Sequence, residues 1–203
     1  MDQHCYYITA FDQQDRLQSN GSGFLITHND QTLLLTAAHT LRKYNDFIFP
    51  DFDNWHAEYI KLDNSPVKIY ADDSRNPLFT TYKKDDQELL DAVALPFDGK
   101  GGPVDLNPQV GDRITLCGWR RDPDEQKFVF VGHIVAIKDW DITIMLISHR
   151  HQRRDGISGG GIYTKYGFAG VYFADDIGKP TSHAVSIKHM LARPGGIEPP
   201  LQD

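Results

Sequence analysis

Apolar residues along this chain come in short runs rich in Val, Ile, Thr, Tyr and Phe, each cut off by turn-forming residues rather than repeated at helical spacing. Runs of that length and composition predict strands. A first series covers residues 6–11, 23–27, 33–37, 58–62, 67–71 and 92–97. A second follows the Gly-rich stretch 99–103 and covers 113–117, 128–137, 142–147, 161–164, 169–173 and 184–187. That is about six strands per half. Helical periodicity is confined to Ile187, Met190 and Leu191, spaced i, i+3, i+4, which predicts one terminal helix.

Two successive series of short strands separated by a Gly-rich link predict an all-β protein of two antiparallel barrels or sandwiches packed together, because closure removes exposed strand edges. The division expected is 1–98 for the first β unit, 99–192 for the second and 193–203 for a flexible tail, where Pro and Gly exclude helix and central strand alike. Residues 42–54 and 72–88, rich in Pro, Asn, Asp and Lys, are expected to be surface loops. The halves show no internal repeat.

Composition narrows the function classes. With 203 residues and 40% hydrophobic content the chain can build a real core, which excludes wholesale disorder. A net charge of −7, with basic residues scattered except around Arg150, Arg153 and Arg154, gives no footprint for nucleic acid. No apolar stretch approaches the roughly 20 residues of a membrane-spanning helix, and the first residues lack a secretory-signal layout, so a cytoplasmic location is expected. The two cysteines, Cys5 and Cys117, lie far apart in sequence and suggest neither a disulfide framework nor a thiolate metal site.

Three segments carry chemistry: Leu35-Thr36-Ala37-Ala38-His39, Leu90-Asp91-Ala92-Val93-Ala94-Leu95 and Asp155-Gly156-Ile157-Ser158-Gly159-Gly160-Gly161. A serine hydroxyl attacks a carbonyl at neutral pH only if a positioned base takes its proton. Histidine is such a base when a carboxylate fixes its tautomer and stabilises the imidazolium. The glycines beside Ser158 let the backbone turn so that the N–H groups of Gly156 and Ser158 can converge on an oxyanion. Asp85, Asp86 and Asp98 compete with Asp91 for the carboxylate role, but Asp91 stands immediately before an Ala-Val-Ala-Leu strand, as a buried orienting group would.

These motifs, together with Gly21-Ser22-Gly23-Phe24-Leu25-Ile26 upstream, resemble those of the chymotrypsin-like (trypsin-like) serine proteases, in the His, Asp, Ser order that this fold shows and other hydrolase folds do not. Val110-Gly111-Asp112 leading to Cys117-Gly118-Trp119 resembles the start of that family's second barrel. The region from Ser182 to Ile187 before a terminal helix resembles the end of its disulfide-free bacterial and viral branches. The resemblance spans about residues 20–192. It implies a double six-stranded β-barrel with the active site between barrels, His39, Asp91 and Ser158 as catalytic residues, an oxyanion hole at Gly156 and Ser158, and no cofactor. It further implies substrate contacts from the strand carrying Tyr172, Phe173 and Ala174, and from Gln152 and Ser182 near the specificity pocket.

Departures from the family pattern bear on specificity. Ile157 replaces the small polar residue or Asp usual before the nucleophile, and Gly161 stands where many members have Pro. Gln152 is not the aspartate that directs cleavage after Lys or Arg; Asp175 and Asp176 would give a negative rim, whereas Ser182, His183 and the basic run would favour an acidic or polar side chain. Both readings stand. A metal site built on His149 and His151, with His133 or His183, is the weaker alternative, since no Cys or carboxylate completes a ligand spacing. The arginine cluster reads as a solvated face more readily than as an anion site. The expected function is serine endopeptidase action on a protein or peptide substrate. The alternative is a latent or inactive homologue that binds peptides or a regulatory partner protein in the cleft.

Overall fold

The computed structural model describes residues 2–41, 57–63, 68–70, 80–84, 88–119, 127–147 and 156–192. Thirteen strands and one short helix occupy them: β1 Cys5–Phe11, β2 Leu17–His28, β3 Gln31–Thr36, β4 Tyr59–Leu62, β5 Ile69–Tyr70, β6 Thr80–Lys84, β7 Glu88–Pro96, β8 Arg113–Trp119, β9 Lys127–Lys138, β10 Asp141–Leu146, β11 Gly161–Tyr163, β12 Phe168–Asp175, β13 Thr181–Ser186 and α1 Ile187–Leu191. The first seven form a curled half-barrel in the order β5-β4-β1-β2-β3-β7-β6, and the last six close into a barrel, β10-β13-β12-β11-β8-β9. Every ladder is antiparallel. The all-β class and the helix at the end of the second unit match the sequence expectation.

Strand pleating explains the continuous apolar runs. Side chains alternate between the two faces of a strand, so a strand apolar at every position is buried on both. In β2, Leu25 faces the core of the N-terminal sheet while Phe24 and Ile26 face the opposite way; in β3, Leu34 parts in the same manner from Leu33 and Leu35. In β7, Val93 and Leu95 face inward while Ala92 and Ala94 face out. The outward set meets Cys117, Phe168, Val171, Val185, Ile187 and Met190 of the C-terminal half, forming one shared core between the sheets. Phe24 stacks on Phe168 at 4.5 Å between ring centroids, with Tyr163 edge-on to Phe168 at 5.4 Å. The third core fills the closed barrel with Ile114, Leu116, Phe130, Ile134, Ile142, Ile144 and their neighbours.

The Gly-rich link is stitched down rather than loose. Gly102 donates to Leu25 O at 2.9 Å and accepts from Thr27 N at 3.0 Å; Phe168 N donates to Pro103 O at 2.9 Å. Asp105, buried, donates its N–H to Phe168 O and accepts from Asn107 N and the Thr164 hydroxyl.

Three expectations change. Thr80–Lys84, placed by the sequence in a surface loop, is a strand pairing with β7, which itself begins at Glu88 rather than Ala92. Ile187 starts the helix, capped by the Ser186 hydroxyl accepting from His189 N, instead of ending a strand. Cys5 and Cys117 are neighbours in space: the Cys5 thiol donates to Cys117 O at 3.3 Å, and both remain thiols in the shared core. The Cys117 thiol and burial together push the Cys5 thiol well above its ordinary range. The loop at 42–54 and the tail at 193–203 lie outside the described residues.

Removing the central ring of the shared core should be costly. Phe168→Ala is expected to lower unfolding free energy by about 3–5 kcal/mol in urea denaturation. A cycle with Phe24→Ala should show non-additivity; strict additivity would mean the stack does not couple the two halves.

Candidate active site

His39 sits in a 3₁₀ turn, Ala38–Leu41, directly after β3. The turn is tied by threonines: Thr40 N and the Thr40 hydroxyl both donate to Ala37 O, Thr36 and Thr40 share a hydrogen bond at 2.9 Å, and Ser19 donates to Thr40 O. Register places Asp91 opposite. Because β7 runs antiparallel to β3 with Thr36 across from Val93, residue 91 passes the end of β3 and faces the turn.

The contact is two-pronged. Asp91 Oδ1 accepts from the backbone N–H of His39 at 2.9 Å, and Oδ2 meets the imidazole Nδ1 at 2.5 Å. Fixing both the main chain and the ring leaves His39 little rotational choice. With its Nδ1–H directed at the carboxylate, a neutral imidazole presents the Nε2 lone pair on the other side, where it can accept a proton. Burial acts to lower the His39 pKa, but the charge and hydrogen bond of Asp91 outweigh it, and the net shift is upward from 6.5. Asp98 is exposed, and Asp85 and Asp86 lie outside the described residues.

Ser158 lies in a tight turn leading into β11. Gly156 and Gly159 have φ of +90° and +85°, in the left-handed region that L side chains rarely adopt. A Cβ on Gly159 would also fall on the Ser22 carbonyl and the Thr36 hydroxyl, closer than real Cβ atoms approach. The turn is thus pressed against the end of β3, three residues before His39. Ser22 N donates to Ser158 O at 2.8 Å, and the Thr36 hydroxyl donates to Ser22 O at 2.7 Å, so Ser158 and the His39 turn are linked through one residue of β2. Among the described residues, no backbone carbonyl accepts from the N–H of Gly156 or of Ser158. Ile157, the unusual neighbour of Ser158, is fully buried in the C-terminal barrel core.

No family model and no curated protein matches the chain. Solved structures do. The thermostable serine protease AL20 from an extremophilic microorganism superposes with a TM-score of 0.59 at 12% identity, over 90% of this chain and 90% of that one. A protease of M. tuberculosis in its active form gives 0.58 at 14% identity, over 97% and 82%. The serine protease domain of the Sesbania mosaic virus polyprotein gives 0.55 at 16% identity, over 91% and 89%. The chain has the chymotrypsin-like serine-protease fold.

Within that chymotrypsin-like fold the remaining sequence candidates fall as follows. Tyr172 spends its main chain on the Ser158 turn, accepting from Gly159 N and donating to Gly160 O, both at 2.8 Å, while its side chain is buried in the barrel. Phe173 packs on the shared core beside Trp140, and Ala174 pairs with His183 in the β12–β13 ladder. Ser182 is fully buried and its hydroxyl donates to Asp175 at 2.6 Å. Gln152 and the basic run at 150–154 lie outside the described residues, as do His149 and His151. Of the other histidines weighed for a metal, His133 lies on β9, and both ring nitrogens of His183 face carboxylates, Asp141 at 3.0 Å and Asp176 at 3.3 Å. Burial works against its charge, but the two carboxylates outweigh it and raise its pKa above the ordinary imidazole value. No local pattern marks this cluster in the sequence, since Asp141 lies in β10, Asp176 just after β12 and His183 in β13.

The His39 pKa shift has a defined origin and a direct check. In an NMR titration His39 should titrate above 6.5; in Asp91→Asn the charge is gone while burial remains, so it should titrate below 6.5. An unchanged midpoint would show that Asp91 does not set the charge state of the ring.

Proposed function

We infer that the chain is a serine endopeptidase hydrolysing peptide bonds through an acyl-enzyme. Ser158 Oγ attacks the carbonyl carbon of the scissile bond and its proton passes to His39 Nε2. Asp91 holds the ring and stabilises the imidazolium, and His39 then delivers the proton to the departing amine. Water attacks the ester by the reverse use of the same base, releasing the acid and restoring Ser158. The N–H groups of Gly156 and Ser158 are assigned to the oxyanion.

The observation that carries this reading is the two-point hold of Asp91 on His39 beside a glycine turn pressed against the same strand end. A carboxylate is costly to enclose and an imidazole in that setting is raised in pKa; a purely structural His would be served as well by a backbone carbonyl. The chymotrypsin-like fold of the solved structures supports the hydrolase class. The substrate is a protein or peptide, no cofactor is required by the chemistry, and a reducing cytoplasmic setting accords with two core thiols.

Labelling with a fluorophosphonate is the deciding experiment. The native chain should label, and Ser158→Ala and His39→Ala should not. On a peptide substrate, loss of Ser158 should lower kcat by about a millionfold. A folded native chain that neither labels nor cleaves would point to the inactive, peptide-binding homologue instead.

A further inference from the structure

Ser22 is the most heavily committed polar residue near the site, and the roles assigned above do not use its hydroxyl. It is fully buried in β2. Its Oγ accepts from Trp119 N at 2.7 Å and donates to Gly156 O at 3.0 Å, with Trp119 O more distant at 3.5 Å. Its N–H donates to Ser158 O at 2.8 Å, and its carbonyl accepts from Thr36 Oγ1 at 2.7 Å. One residue therefore grips the Ser158 turn at both ends.

Between those ends, Ile157 O accepts from Gly160 N at 2.8 Å. Three successive carbonyls, those of Gly156, Ile157 and Ser158, are thus all tied to the protein. A trans peptide directs its N–H opposite its C=O, so each tied carbonyl fixes the direction of the following amide. The bond to Gly156 O is the one of the three made by a side chain. It is also made on the peptide that lies between the one carrying the Gly156 amide and the one carrying the Ser158 amide, at a glycine with φ of +90° that no Cβ restrains. Rotation about the bonds that flank this peptide changes the angle between the Gly156 and Ser158 amides, which must point to one face to receive negative charge.

We propose that Ser22 is a positioning residue for the oxyanion site: its hydroxyl, braced by Trp119 N–H, holds the Gly156–Ile157 peptide, the link between the two peptides that carry the Gly156 and Ser158 amides, and so keeps both amides directed at the reacting carbonyl. The proposal rests on the serine endopeptidase reading. The hydroxyl acts on the transition state, where charge develops, and not on ground-state binding.

Ser22→Ala removes the donor and leaves the turn's apolar anchor in place. It should lower kcat about 10–100-fold, less than the roughly 100–1,000-fold that outright loss of an oxyanion donor costs, and leave KM within about twofold. A peptide boronic acid, which mimics the tetrahedral adduct, should lose affinity in parallel with kcat. Ser22→Thr, which keeps the hydroxyl, should restore most of it. Thr164→Val is the control for lost stability: it removes a buried hydroxyl bonded to Asp105, away from the turn, and should leave kcat unchanged. Amide NMR gives a second readout that needs no turnover: in Ser22→Ala the resonances of 156–160 should shift while those of β9 and β10 stay in place. Unchanged kcat in an active enzyme, or an equal loss in Thr164→Val, overturns the proposal. If the native chain shows no turnover, the endopeptidase reading falls by itself, and unaltered amides at 156–160 would then also overturn the positioning role.

Discussion

Burying β2, β3 and β7 on both faces requires a second apolar layer, and the C-terminal barrel supplies it through Phe168, Val171, Val185 and Ile187. That demand brings the halves together more firmly than any polar contact could, since apolar burial is worth about 25 cal/mol per Å² and has no directional requirement. Once the shared core is formed, the ends of β2 and β3 are held against the start of β11, and the three segments bearing His39, Asp91 and Ser158 come to one place. The hydrogen bonds through Ser22 and Thr36 then fix what packing alone would leave loose. Packing decides where the candidate site lies; directional bonds decide its geometry.

Charge within the site supports the fold only in a specific pH window. Burial opposes an imidazolium at His39, and Asp91 more than compensates, so the folded-state pKa lies above 6.5. By linkage, a raised pKa contributes stability fully below the unfolded value and loses it as pH rises through the folded value. A general base works in its neutral form, above that folded value. The pair therefore contributes its charge-dependent stability where the imidazole is protonated, and the proposed base chemistry would operate where that contribution has gone, so the scaffold must hold without it. The Asp91 bond to the His39 backbone N–H meets this need, because it persists whichever form the ring takes.

What the sequence revealed followed from how much of its context each residue carries locally. Leu33 to Leu35 and Ala92 to Leu95 are apolar without interruption, His39 follows shortly after the first run and Asp91 immediately precedes the second, so both strands and site segments were legible. Thr80–Lys84 was not, because an edge strand pairs on one side and its sequence, Thr-Thr-Tyr-Lys-Lys, lacks the alternation of a half-buried strand. The Cys5 to Cys117 contact spans 112 positions, and the His183 carboxylates Asp141 and Asp176 come from β10 and the end of β12. No local pattern encodes such meetings; closure of the barrel and register of its ladders create them. Ile157 looked like a defect in the motif for the same reason, since its partners are all distant.

In the structure Ile157 is an anchor. A charged residue before the nucleophile would need a buried partner of opposite sign, and an ion pair taken out of water costs several kcal/mol of desolvation before it gains anything. An isoleucine at that place contributes about 1.5–3 kcal/mol by filling the barrel end and requires no partner at all. Gly118 leaves room for it: a Cβ there would meet Ile157 Cγ2 at 2.7 Å. The Ser158 turn is thereby held by apolar packing, main-chain bonds and the neutral Ser22 hydroxyl, all insensitive to ionic strength. Among the described residues, the groups that hold this turn carry no charge.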